Sequence, residues 1–127
     1  MRTAINLVSI VDHKILLVKK KETWILPGGK PNKDESDLDC LKRECSEELQ
    51  NTSVEVGDFY GNFEGQTPHT GDTLCAKVFF GTIFGDVTPS AEIADLGYFT
   101  KNESDQMALS KITRDILTSL TNSHNFF

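Results

Sequence analysis

Three acids stand where a helix would gather them: Glu44, Glu47 and Glu48. At roughly 100° per residue they fall within one helical stripe about 100° wide. Over the same segment Leu38, Leu41, Cys45 and Leu49 recur at three- and four-residue intervals, which predicts a helix from Ser36 to about Gln50, with Asp34 or Ser36 as its N-cap. On that wheel the acidic stripe lies beside the apolar one, and Glu48 sits almost next to Leu41. A solvated acidic face would lie opposite the buried stripe. Carboxylates crowded at the edge of a core repel one another and lose hydration, and a divalent cation with a preference for oxygen ligands relieves both effects. The competing reading of a bare E-x-x-E-E is an acidic surface patch balanced by Lys and Arg.

The segment ahead of the helix decides between them. Pro27-Gly28-Gly29 breaks a strand and frees the backbone, and Glu35 and then Arg43 follow at fixed distances from the acids. With Gly29, Glu35, Arg43, Glu44, Glu47 and Glu48 in place, the chain resembles the Nudix hydrolase family, whose signature is G-x5-E-x7-R-E-U-x-E-E-x-G-U, U being a bulky aliphatic residue. The box runs over 29–51, with Cys45 at the first aliphatic position. Gln50 stands in place of the second glycine and Asn51 in place of the last aliphatic residue. Asparagine is the next best residue for a left-handed conformation, so Asn51 is expected to take the cap one position late, with the helix exit shifted and the acids undisturbed.

The resemblance implies an α/β fold, the Nudix α/β/α sandwich with a mixed β-sheet, and a role for each matching residue. Glu44, Glu47 and Glu48 would hold Mg²⁺ or Mn²⁺ together with the backbone carbonyl of Gly29. The metal would neutralise phosphate oxygens and lower the pKa of an attacking water. Glu44 or Glu47 would be the catalytic base, and Glu35 and Arg43 would form a salt bridge tying the loop to the helix. Glu92, ahead of a short strand, stands where many relatives keep an acid that ligates metal or serves as base; a solvent-facing loop glutamate is the alternative. The implied reaction is hydrolysis of a pyrophosphate bond in a nucleoside diphosphate linked to another group: a nucleoside triphosphate, oxidised ones included, or an ADP-ribose-like conjugate. Pro68 lies close to where ADP-ribose-cleaving relatives carry a proline, and no tyrosine marks the dinucleoside-polyphosphate branch. Homodimers are frequent in the family. A non-catalytic nucleotide sensor on the same fold is the rival function, but such relatives lose metal glutamates and all three stand here.

The remaining elements must position this box. Thr3–Val11 and Lys14–Val18 read as strands about an Asp12-His13 turn, followed by Trp24–Leu26. Thr52–Val56, Phe59–Phe63 and Leu74–Phe84 are predicted hairpin strands, a short strand falls within Ile93–Phe99, and Met107–Leu120 has helical spacing. The tail Thr121–Phe127 has no periodicity. This order predicts one mixed domain over 1–127. Trp24 is expected in the core in preference to stacking on a base, and Lys19-Lys20-Lys21 at a solvated strand end, with phosphate binding the alternative. Glu64 and His69 are candidate substrate contacts near the long hairpin loop.

The 127 residues carry 13 basic and 19 acidic side chains, a net charge of −6. That balance excludes tracking a long nucleic-acid backbone and leaves a small-molecule nucleotide as the partner. Three cysteines with no Cys-x-x-Cys spacing predict a reduced, cytoplasmic chain. No apolar run approaches the roughly 18 residues of a membrane span.

Overall fold

The computed structural model describes residues 2–66, 70–90 and 92–124. Its elements are β1 (Arg2–Val8), β2 (Ile10–Val11), β3 (Lys14–Lys20), β4 (Thr23–Ile25), β5 (Gly28–Gly29), α1 (Asp37–Glu48), β6 (Leu49–Gln50), β7 (Ser53–Gln66), β8 (Thr73–Phe84), β9 (Thr88–Pro89), β10 (Asp95–Phe99), α2 (Lys101–Asp105) and α3 (Lys111–His124). One sheet is mixed, ordered β5-β1-β8-β7, with β1 parallel to β8 and the other pairs antiparallel. A second has β3 between β10 and β2, with β4 also on β3. The amide of Leu16 donates to the carbonyl of Ser9 at 3.0 Å and joins the two.

The strand sequences explain the layering. In β3, Ile15, Leu16, Leu17 and Val18 are all fully buried, the continuous apolar run of a strand covered on both faces. Ile15 and Leu17 join Val8, Ala76 and Val78 beneath Ile112, Ile116, Leu117 and Leu120 of α3. Leu16 and Val18 join Ile5 and Leu7 beneath Cys40, Leu41 and Cys45 of α1. The alternation of side chains along β1 and β3 therefore feeds two cores, and the mixed α/β fold is a sheet layer between α1 and α3. Each fully buried Leu or Ile contributes about 1.5–3 kcal/mol.

Local chemistry accounts for the boundaries. Asp12 and His13 have φ of 52° and 63°, the two left-handed residues of a tight hairpin between β2 and β3. Ser36, not Asp34, caps α1: its hydroxyl accepts from the Asp39 amide at 3.1 Å, while Asp34 takes φ 65° in the preceding turn. The helix stops at Glu48. Leu49 and Gln50 then pair with Pro89 and Thr88, and Asn51 turns the chain with φ 64°. Asn51 does adopt the left-handed conformation, but after this two-residue ribbon and not as a direct helix cap.

The structure differs from the sequence reading at four places. The strand expected over Thr3–Val11 divides at Ser9. The two strands expected over 52–63 are one long β7, bent by register shifts between Val56 and Gly61, where the pattern had looked like a break. Helix α3 begins at Lys111 and runs to His124, so the first part of the tail that lacks periodicity is helical. Met107 lies before it, packed against the α3 core. Helix α2 was not foreseen, although Thr100 and Glu103 form a capping box whose sequence spacing was visible.

Candidate active site

The loop ahead of α1 is fastened to the helix by one guanidinium. Arg43 Nε donates to Glu35 Oε2 at 2.9 Å and Nη2 to Glu35 Oε1 at 3.0 Å, a two-pronged grip on one carboxylate. Nη2 also reaches the carbonyl of Lys30 at 3.0 Å, and Nη1 reaches Glu44 Oε1 at 2.9 Å and Glu47 Oε1 at 3.4 Å. Glu35 Oε1 additionally accepts from the Asn32 amide at 2.9 Å. Bonding to Arg43 first, and to that amide second, holds the Glu35 carboxyl down at about 2. The same pairing with Glu35 pushes the Arg43 guanidinium up.

Two glycines let the backbone meet the acids. A Cβ on Gly29 would lie 2.4 Å from Glu44 Cδ, so only glycine allows that carboxyl to rest against the chain. Gly28, at φ 140°, would place a Cβ 2.0 Å from the Ile5 carbonyl oxygen. Its amide instead donates to Glu48 Oε1 at 2.9 Å. The Asn6 amide holds this segment by donating to the carbonyls of Leu26 and Pro27, each at 3.3 Å.

Glu48 is the exceptional group. Only 3% exposed, it has one oxygen on the Gly28 amide, while the other, Oε2, is buried without a well-directed hydrogen bond and lies against the Lys20 ammonium at 2.5 Å. Burial pushes its carboxyl up, opposed by the Lys20 charge and the Gly28 amide and reinforced by the nearby charge of Glu44. Cys40 donates weakly to the Gly29 carbonyl at 3.6 Å. Burial pushes the thiols of Cys40 and Cys45 up to about 11 and about 12, which leaves both unreactive as nucleophiles. Beside Gly28, Gly29 and Lys20 opens a cavity of about 210 Å³, closed on its far side by Ile112, Thr113 and Ile116 of α3.

The structure thus gathers most of the residues that the sequence singled out, but not into one point. Glu35, Arg43, Glu44 and Glu47 form one ion-pair network, and Glu44 and Glu48 flank the Gly28–Gly29 segment. Glu47 has a 60% exposed side chain and turns outward to Arg43. Among the described residues no three His, Cys, Asp or Glu side chains converge as a metal cage would. Glu92 is exposed on the turn before β10, and Glu64 is exposed on β7. His69 and Pro68 lie outside the described residues. Trp24 packs in the α3 core, its ring 5.1 Å from Phe99 and edge-on to it, as expected.

Lys20 was read as part of a solvated strand end, and there the structure corrects the sequence. Leu16 and Val18 face α1, so strand periodicity places Lys20 on the same side, under Glu48. That signal was available and was hidden by the flanking Lys19 and Lys21.

Comparison with known proteins agrees with this fold. The family model of the NUDIX domain matches residues 1–119. The chain belongs to the Nudix family. Among solved structures, the MutT NUDIX hydrolase from Burkholderia pseudomallei is similar at 26% identity and TM-score 0.83, over 94% of this chain and 98% of that one. The MutT protein from Methanosarcina mazei is 24% identical with TM-score 0.82, over 95% and 93%. The E. coli ORF135 protein is 22% identical with TM-score 0.81, over 96% and 89%. No curated protein sequence matches the chain. Among the described residues of this MutT-like Nudix protein, no helix is long and apolar enough to cross a membrane.

Proposed function

We propose that the chain hydrolyses a pyrophosphate bond in a nucleoside diphosphate linked to another group, using Mg²⁺ or Mn²⁺. The observation that carries this reading is Glu48, a carboxylate buried at the border of the α1 core with one oxygen lacking a well-directed hydrogen bond. A buried carboxylate is strongly unfavourable without a cationic partner, and here the partner is the Lys20 ammonium, which reaches Oε2 from a partly exposed position and leaves a carboxylate that a cation of higher charge would also suit. Glu48, Glu44 beside it and the Gly29 carbonyl offer hard oxygen donors from two elements that Arg43 locks together, which suits a divalent cation of that class. Glu47, which must leave Arg43 and turn inward, and Glu92, exposed on the turn before β10, would complete the donor set once a cation draws them in. When bound, the cation supplies neutralisation of the phosphate oxygens and acidifies the attacking water.

The chain's own residues do the rest. Glu44 or Glu47 accepts the proton of the water that attacks phosphorus. Arg43 orients Glu44 and, through Glu35 and the Lys30 carbonyl, fixes the distance between loop and helix. The cavity under Gly28–Gly29 is smaller than the roughly 300–1,000 Å³ of sites that engulf a drug-sized ligand. It fits one ring system, with the phosphates outside it along the box. A nucleoside triphosphate, oxidised or not, and an ADP-ribose-like conjugate both satisfy this layout.

The test is release of phosphate, pyrophosphate or nucleoside monophosphate over a panel of nucleotides with Mg²⁺, with Mn²⁺ and with chelator. Metal-dependent turnover of at least one nucleoside diphosphate derivative is expected, and ¹⁸O-labelled water will mark the attacked phosphorus. Silence across the panel with both metals would favour a nucleotide-sensing module in its place.

A further inference from the structure

Resting on the metal reading above, we infer that Lys20 is a tethered counter-ion of Glu48, which a divalent cation must displace before the site is loaded. The Lys20 ammonium lies against Glu48 Oε2, a buried side-chain oxygen that has no other hydrogen-bond partner among the described residues. It reaches that point from the end of β3, and its side chain remains 33% exposed while that of Glu48 is 4% exposed. Lys20 thus has somewhere to go and Glu48 does not. A compact charge on a four-carbon stem can rotate away, and Lys20 already lines the cavity that opens beside Gly28 and Gly29.

The pairing has two opposed consequences. Without metal, the ammonium neutralises a carboxylate that would otherwise be buried and unpaired, so the site survives empty. With metal arriving, only molecules in which the ammonium has swung off Glu48 are competent to bind. The apparent dissociation constant then rises as the inverse of that competent fraction. Lys20 is a positioning residue in the empty protein and a competitor of the cation, and its displaced ammonium is delivered to the cavity mouth, where an anionic substrate would meet it.

The experiment is titration of metal-free protein with Mn²⁺, free ion being read by electron paramagnetic resonance, with no substrate present. Lys20→Met is expected to bind Mn²⁺ about fivefold or more tightly than the wild type, the ratio for an ion pair closed about four-fifths of the time. Its metal-free thermal midpoint should be lower, and its Mn²⁺-induced rise in midpoint larger. Lys21→Met removes the same charge from an adjacent exposed position and should stay within about twofold of wild type, while Lys20→Arg should not tighten binding.

Equal tightening in Lys20→Met and Lys21→Met would reduce the effect to the general field and overturn the inference. Unchanged affinity in Lys20→Met with normal Mn²⁺ binding by the wild type would overturn it while leaving the metal reading intact. A wild type that binds no Mn²⁺ defeats both. Should Lys20→Met fail to fold, the wild type serves: the side-chain ammonium resonance of Lys20 should lose its solvent-exchange protection on Mg²⁺ saturation, and persistence of that protection would count against displacement.

Discussion

Helices α1 and α3 cover opposite faces of the same strand layer, and they handle charge in opposite ways. On α3 the buried positions Ile112, Ile116, Leu117 and Leu120 are apolar, and the cationic ends of Lys111 and Arg114 are exposed. Its Lys111–Asp115 pair lies at the surface, 3.0 Å apart, and contributes little. On α1 the acids descend into the border of the core: Glu44 against a glycine and Glu48 beneath the surface, both held by cations and amides. One face obeys the rule that charge points outward, and the other breaks it at the residues of the box. Departures from local consistency concentrate where a molecule does its chemistry.

The sharpest way to break that comparison is to neutralise each face in turn. Glu48→Gln should lower turnover by about a thousandfold or more while the metal-free melting temperature stays within about 3 °C of wild type, since the amide removes a buried charge. Retained turnover in a folded Glu48→Gln, or a collapse of its stability, would make the α1 acids structural like those of any surface helix. On the opposite face, Leu117→Ala should cost about 2–5 kcal/mol in denaturant unfolding, with turnover per folded molecule held within about threefold. A large loss of turnover there would mean the two faces are not separable.

The ion-pair network supplies a pH test. The folded-state pKa of Glu35 lies near 2, below its ordinary value of 4.5, so its contribution to stability is present above about pH 4.5 and is lost as pH falls towards 2. Glu35→Gln should therefore melt below the wild type at pH 6, and the gap should close by about pH 2; a gap independent of pH would assign the effect to packing. The smallest effects belong to the box end. Gln50→Gly should leave turnover within about threefold and cost less than about 1 kcal/mol, because only a two-residue ribbon is weakened. Asn51→Gly should raise stability by less than about 1 kcal/mol, as φ 64° suits glycine better still. A large gain in turnover from Gln50→Gly would show that the missing glycine disables the α1 face.

The contrast also explains what could be read without coordinates. Helix α1, its Ser36 cap and the Arg43–Glu35 tie all rest on contacts between residues at most thirteen apart, where periodicity and spacing carry information. The grip of Lys20 on Glu48 spans two elements and depends on β3 lying under α1, so a run of three lysines gave no reason to single out the middle one until strand alternation was applied to it. Glu47 shows the converse. Spacing put it in line with Glu44 and Glu48, but the long Arg43 side chain offered a competing partner on the solvent side and drew it outward. The long β7 was obscured because a bulge mimics the end of a strand.

The bare α-carbon at position 29 sets how closely one of the box's acids can rest on the chain. Glycine is the smallest residue there is, so nothing can be trimmed there, and the least enlargement, a single methyl group, would force the facing carboxyl of Glu44 to move away. Because that carboxyl ends a flexible side chain, it can yield by rotating, so what the bare α-carbon secures is the resting place of Glu44 and not the path of the backbone.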